Sequence, residues 1–214
     1  MTSGGQINFD YLLKYIIVGD SSVGKTNLLM KFIQNKFTEE YLTTIGVEFG
    51  TKNMKINNKV YRIQIWDTAG QEYFRSIARA YFKNCVCAMV VYDITCKESF
   101  ENVKSWLQDI QEESPKTVLV ALIGNKIDLE EKRIVSFDEG KKFATENGII
   151  FMETSAKTGE GIKEIFEQSI REIEKKMEEN YYDLKSESCG IKKGRSKNIN
   201  LNKDKNQEKK GCCS

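Results

Sequence analysis

The residues Gly19-Asp20-Ser21-Ser22-Val23-Gly24-Lys25-Thr26 follow an apolar run at 15–18 and precede apolar residues spaced as on a helix, Leu28, Leu29, Phe32 and Ile33. In a strand–turn–helix context, two glycines separated by four residues let backbone N–H groups turn toward phosphate oxygens. The helix N-terminus adds partial positive charge at the same point. Lys25 is placed to bridge β- and γ-phosphates and Thr26 to ligate Mg²⁺. Ser21, Ser22 and Val23 inside the loop and Asn27 after it complete the expected cradle. Only four positions of the pattern are fixed, so a surface turn could match it by chance.

Three further stretches discriminate. Asp67-Thr68-Ala69-Gly70-Gln71-Glu72 follows a strand-like segment; Asp67 can hold Mg²⁺ through its water, the Gly70 N–H can contact a γ-phosphate, and Gln71 can orient an attacking water. Asn125-Lys126-Ile127-Asp128 follows another. A carboxylate there accepts from both the ring N–H and the exocyclic amine of guanine, a donor pair that adenine lacks. Ser155-Ala156-Lys157 follows a third strand, where its backbone can read the guanine oxygen. Taken singly, these are a capped polar loop, a charged turn and a loop before a helix. Together they fall in one order at carboxyl ends of strands, where ligands of open α/β sheets bind.

The chain that must position them has 214 residues, 40% hydrophobic and 10% aromatic, enough for one domain with extensions. It has no histidine, which removes a Ser-His-Asp triad and every His-ligated metal site. Six cysteines and an N-terminus without a leader pattern or a glycine at position 2 predict neither a disulfide framework, a secreted chain nor N-myristoylation. Cys85, Cys87 and Cys96 read as core or near-core residues. The apolar runs at 86–92 and 118–123 are too short to span a bilayer and read as buried strands.

Strands are predicted at 12–18, 47–56, 60–66, 86–92, 118–123 and 149–152, with a hairpin turn at Asn57-Asn58. Helices are predicted at 26–37, along the stripe Phe100, Val103, Leu107 and Ile110, from a capping box at Ser136–Glu139 through Glu146, and from Ile162 through Met177. Buried strands alternating with amphipathic helices predict an α/β fold: a six-stranded, mostly parallel sheet with one antiparallel strand and helices on both faces. Residues 38–46 and 68–77 are polar and unpatterned. Residues 180–211 are rich in Lys, Asn, Ser and Glu, which predicts disorder. Residues 191–214 carry a net charge of +6, and the remainder −4.

GDSSVGKT, TTIGVEF, WDTAGQE, GNKID and ETSAK stand in the order and spacing of the small GTPases of the Ras superfamily, over residues 10–178. Ile45-Gly46-Val47-Glu48-Phe49, the Tyr-Phe-Arg-Ser-Ile run at 73–77 and Val-Tyr-Asp-Ile-Thr at 91–95 make the chain resemble the Rab group in particular. The resemblance implies the phosphate-loop small G-protein fold over 11–178, after an extension at 1–10 and before a basic hypervariable tail at 179–214. It implies a GTPase, slow unaided, that switches between GTP and GDP states and recruits effectors to membranes in vesicle traffic. Phe37 would stack on guanine; Thr44 would complete the Mg²⁺ shell and sense the γ-phosphate; Gln71, Lys25 and Gly70 would serve hydrolysis. Ile45, Gly46, Val47 and the aromatic triad Phe49, Trp66 and Tyr81 would form the effector surface, although Trp66 reads almost equally well as core. Tyr81-Phe82-Lys83-Asn84-Cys85 departs from the group's usual Tyr-Tyr-Arg-Gly-Ala, and Gly50 points toward its ER–Golgi and early endosomal branch.

No arginine lies in the phosphate loop or in 37–46 to serve as an internal finger, so acceleration on the order of 10³–10⁵ would need a GTPase-activating protein. The ending Gly211-Cys212-Cys213-Ser214 is not a CaaX box, because Gly211 stands fourth from the end. It resembles the double-cysteine ending of Rabs and implies geranylgeranyl groups on Cys212 and Cys213, two lipids where one anchors only marginally. A flexible link over 180–213 would reach about 30–35 Å. The implied partners are an exchange factor, a GTPase-activating protein, effectors, a Rab escort protein and a GDP-dissociation inhibitor. A monomer with no nucleic-acid partner is expected, on the cytoplasmic face of Golgi, ER or endosomal membranes, with an inhibitor-bound cytosolic pool. The other readings weighed are a phosphate-loop metabolic kinase, a GTP-binding scaffold that barely hydrolyses, and a plasma-membrane Ras-type switch.

Overall fold

The computed structural model describes residues 8–39, 44–71 and 75–194. The first strand, β1 (Tyr11–Val18), is almost wholly buried from Leu13 onward and lies at the centre of the sheet. The chain then turns through the phosphate-loop segment into α1 (Lys25–Gln34), which ends where Asn35 takes a left-handed conformation. Leu28, Leu29 and Phe32 of α1 face the core. β2 (Val47–Ile56) and β3 (Lys59–Thr68) form the expected antiparallel hairpin; Asn57 and Asn58 both have positive φ, the conformation of a type I′ turn.

α2 (Arg75–Phe82) leads into β4 (Cys87–Asp93), buried at every residue. The predicted stripe from Phe100 to Ile110 is two helices, α3 (Lys97–Glu101) and α4 (Val103–Glu113), meeting at Asn102. β5 (Leu119–Asn125), a 3₁₀ turn (Ile127–Lys132), α5 (Phe137–Glu146), β6 (Ile150–Thr154) and α6 (Ile162–Glu178) follow. The capping box at Ser136 and Glu139 forms as read. The strand order is β2-β3-β1-β4-β5-β6, parallel except for the hairpin. Two apolar layers cover its faces, one built on α1 and α6, where Phe32 and Phe166 stack with centroids 3.7 Å apart, the other on Trp106, Ile110 and Phe82. No described helix is long and apolar enough to cross a membrane.

Two expectations need correction. The segment 68–77, read as unpatterned, enters α2 at Arg75, because Ala78 and Phe82 bury on one side of the helix. The second concerns the tail. Residues 180–194 do not begin a disordered extension; they fold back on the sheet and add a seventh strand, β7 (Ile191–Lys193), antiparallel to β1. The physical reason lies in β1. Its pairing with β4 begins only at Tyr15, so the edge at Tyr11–Leu13 has unpaired backbone groups that β7 completes. The Lys14 N–H bonds the Gly190 carbonyl at 2.9 Å and the Gly194 N–H bonds the Asp10 carbonyl at 2.8 Å. Tyr182, Cys189 and Ile191 are buried in the α1/α6 layer. Gly190 makes the closing turn with φ 71°, and a Cβ there would stand 2.4 Å from the Val86 nitrogen.

Candidate nucleotide site

The four loops singled out in the sequence meet at the carboxyl ends of β1, β3, β5 and β6. A cavity of about 590 Å³ is lined by Ser21, Ser22, Gly24, Lys25, Thr26, Asn27, Phe37, Thr44, Gly70, Asn125, Lys126, Asp128, Ala156 and Lys157. Among the predicted residues, Val23 and Gln71 line instead an adjoining cavity of about 310 Å³ on the far side of the phosphate loop. Gly19 and Ser155 are buried behind the wall.

Side-chain hydrogen bonds within and between the loops hold them in place. Lys25 is buried, and its ammonium donates to the carbonyls of Gly19 at 2.8 Å and Asp20 at 2.6 Å. Burial pushes its pKa down to about 8, against the opposing pull of the Asp67 and Asp20 carboxylates. Asn125 is fully buried and joins three loops: its amide donates to the Val23 carbonyl at 2.9 Å, and its oxygen accepts from Thr154 Oγ1 at 3.2 Å and the Ala156 N–H at 3.1 Å. The Ser155 hydroxyl donates to Asp128 Oδ1 at 2.6 Å, aiming a carboxylate whose residue is otherwise exposed. Asn27 pairs with the Thr38 backbone at 3.0 and 3.3 Å, tying the start of the 38–46 segment to α1.

At the other end of the cavity the Thr26 hydroxyl lies 2.5 Å from Asp67 Oδ2 and 2.9 Å from the Thr44 hydroxyl. Asp67 is fully buried, and its Oδ1 has no hydrogen-bond partner. Burial raises its pKa to about 6, while the Thr26 bond and Lys25 act downward. A buried carboxylate oxygen left unpaired beside two hydroxyls is an all-oxygen donor set, which fits a hard divalent cation such as Mg²⁺.

The sequence reading did not single out four residues beside the cavity. Asp93, at the end of β4, pairs with Lys126 Nζ at 2.6 Å and so fixes the Asn-Lys-x-Asp turn. Asp20, Asn102 and Trp106 form a second cluster behind the phosphate loop. The signal for Asp93 was present as a lone acid ending a continuous apolar strand. For the other three only the folded contacts show the connection.

The sequence of the chain matches a model of the Ras family over residues 14–175. It is 54% identical over 173 residues to the Ras-related protein Rab-2B of Dictyostelium discoideum, covering 81% of this chain and 86% of that protein. The chain belongs to the Ras family. Within it the chain is a Rab-type small GTPase, which binds GTP and GDP, hydrolyses GTP to GDP and phosphate, and switches effector recruitment in vesicle traffic. The sheet and helices described above are the small G-protein fold that the sequence predicted, with β7 added.

In this Rab-type domain Ile45, Phe49 and Tyr81 are exposed, and Trp66 is half-buried between them. Phe49 and Trp66 centroids lie 5.4 Å apart and those of Trp66 and Tyr81 6.2 Å apart. Trp66 also packs on the core layer, as its reading as a core residue expects. The Gly46 carbonyl accepts the Ala69 N–H at 3.0 Å, linking the segments 38–46 and 68–77, and Val47 pairs with Thr68. Gly50 has a packing reason of its own, since a Cβ there would stand 2.1 Å from Ile33 Cδ1 of α1. Residues 40–43 and 72–74 and the lipidation candidates Cys212 and Cys213 lie outside the described residues.

Proposed function

We propose that the 590 Å³ cavity holds the guanine nucleotide with its base between Phe37, Asp128 and Ala156 and its phosphates at Lys25. The observation that carries this reading is the convergence of Lys25, Asn125 and Asp128 on one cavity, with the buried Asp67, its Oδ1 orphaned, bonded to Thr26 of the cavity wall. Asp128, steadied by Ser155, selects guanine through two accepted hydrogen bonds. Thr26, Thr44 and Asp67 would hold Mg²⁺, which when bound would neutralise phosphate charge. Thr44 and Gly70 report the γ-phosphate to the segments 38–46 and 68–77, and its loss releases them. Gln71, exposed and lining the adjoining cavity, orients the attacking water. Hydrolysis then needs positioning and charge stabilisation rather than a strong base, in keeping with a chain that has no histidine.

Exchange factors, GTPase-activating proteins and effectors act on a Rab-type switch. For this chain we add an escort protein, a GDP-dissociation inhibitor with its cytosolic pool, and geranylgeranyl groups on Cys212 and Cys213. ER–Golgi membranes are the proposed site. With 180–194 folded onto the sheet, 18 residues run from position 195 to Cys212.

Equilibrium binding of GTP, GDP and ATP, with and without Mg²⁺, tests the site. Tight guanine binding that Asp128→Ala abolishes and Thr26→Asn weakens is the expected result. Equal binding of ATP, or no effect of either substitution, would remove the assignment.

A further inference from the structure

Asp20 is the second residue of the phosphate loop and belongs to none of the pattern's fixed positions. Four groups hold it. Its carbonyl accepts from Lys25 Nζ at 2.6 Å. Its carboxylate accepts from Trp106 Nε1 at 2.8 Å and from Asn102 Nδ2 at 2.7 Å. Its peptide lies against Gly70, where an added Cβ would stand 2.4 Å from the Asp20 carbonyl carbon and 2.5 Å from Lys25 Nζ. A carboxylate held by two donors from the α3–α4 junction fixes the same peptide that orients the Lys25 ammonium.

The other side of Trp106 leads to α2. The Arg75 guanidinium lies over the Trp106 ring, 4.6 Å from its centroid. Arg75 Nε donates to Asp109, Arg75 NH2 to Ser105 Oγ at 2.9 Å, and Arg79 NH2 to Asp109 Oδ1 at 2.7 Å. Asp109 is 4% exposed, so both arginines are committed to a carboxylate that cannot be left alone without a large desolvation cost. The segment 68–77 is therefore tied to Asp20 at both ends: directly through Gly70, and through Arg75, α4 and Trp106 from α2.

We infer that Trp106 is a positioning residue that couples the α2 helix to the phosphate loop, so that displacing α2 loosens Asp20 and Lys25 and speeds nucleotide release. The inference rests on the nucleotide-site reading above. By linkage the coupling is reciprocal: nucleotide occupancy holds Arg75 on Trp106 as firmly as Arg75 holds the nucleotide.

The test is the GDP release rate of the full chain, followed with a fluorescent GDP analogue. Trp106→Phe keeps an aromatic ring under Arg75 and loses the N–H to Asp20 together with part of the buried indole volume. Release should speed up at least about tenfold, the lower end of the value of one hydrogen bond to a charged group. Arg75→Ala, which touches neither the cavity nor Asp20, should also speed release several-fold, with Arg79 still paired to Asp109. The decisive measurement is the double substitution. Arg75→Ala combined with Asp20→Ala should release GDP no faster than Asp20→Ala alone, because the two act along one path. A residue that is only structural would lower the melting temperature of each variant while its effects on release simply added.

Additive effects, or unchanged release in Trp106→Phe with tight wild-type binding, would overturn the inference and leave the site assignment standing. Failure of the wild type to hold GDP at all would overturn both.

Discussion

The Asn125 side-chain oxygen accepts the Ala156 N–H at 3.1 Å, while its amide donates to the Val23 carbonyl at 2.9 Å. One buried carboxamide thus joins the phosphate loop to the loop after β6. Replacing it leaves two buried backbone groups unsatisfied, at about 1–3 kcal/mol. Asn125→Ala should therefore lower the melting temperature of the nucleotide-free chain by about 2–4 °C for each kcal/mol lost. GTP affinity should fall as well. Scanning calorimetry and equilibrium binding check the two effects, and a normal melting temperature would mean the joint carries no stability.

Gly70 has no room for a side chain, since a Cβ would stand 2.5 Å from both the Asp20 oxygen and Lys25 Nζ. Gly70→Ala must displace one of them. Single-turnover hydrolysis should slow, and the GTP-bound and GDP-bound forms should become hard to distinguish by effector binding. Wild-type hydrolysis rates in that variant would place Gly70 outside the switch.

Residues 180–194 contribute stability of their own. Gly190→Val forces a side chain against the Val86 nitrogen in a left-handed turn, and should undock β7. Amide exchange at Tyr11–Leu13 and Ile191–Lys193 should then rise together while β4 and β5 stay protected. Tyr182→Phe should act in the opposite direction. The Tyr182 hydroxyl is buried without a partner, so removing it should stabilise the chain by about 1–3 kcal/mol. Independent exchange of the two strands would contradict the pairing.

Glu139 accepts from the Ser136 N–H at 2.9 Å and from Lys97 Nζ at 2.7 Å. The Lys97 bond first, then those to Ser136, push its pKa down to about 2 from 4.5. A carboxyl depressed in the folded state adds stability that is fully present above its unfolded value and is lost as pH falls through the folded one. Between pH 4.5 and pH 2 the wild type should lose more stability than Glu139→Gln. Thermal melts of both proteins across that window decide it; parallel curves would show that the capping box carries no pH dependence.

The parts legible in the sequence are those whose physics is local. Two glycines and a lysine at fixed spacing, a lone acid at a strand end and the Asn-Lys-x-Asp tetrad are bound by short-range geometry. Strand alternation and helical periodicity then placed all but one of the strands. The Asn57-Asn58 turn and the Ser136 cap formed as read for the same reason. Tertiary structure decided what depends on distant segments meeting. β7 exists because β4 leaves the edge of β1 open at Tyr11–Leu13, and Tyr182, Cys189 and Ile191 are too few among Lys, Ser and Glu to make a pattern. The junction at Asp20 likewise needs Trp106, 86 positions along the chain, to arrive at a carboxylate that by itself reads as a polar loop residue. A hydrogen bond across that separation leaves no periodicity, because its partners are set by how helices pack on the sheet and not by neighbours in the chain.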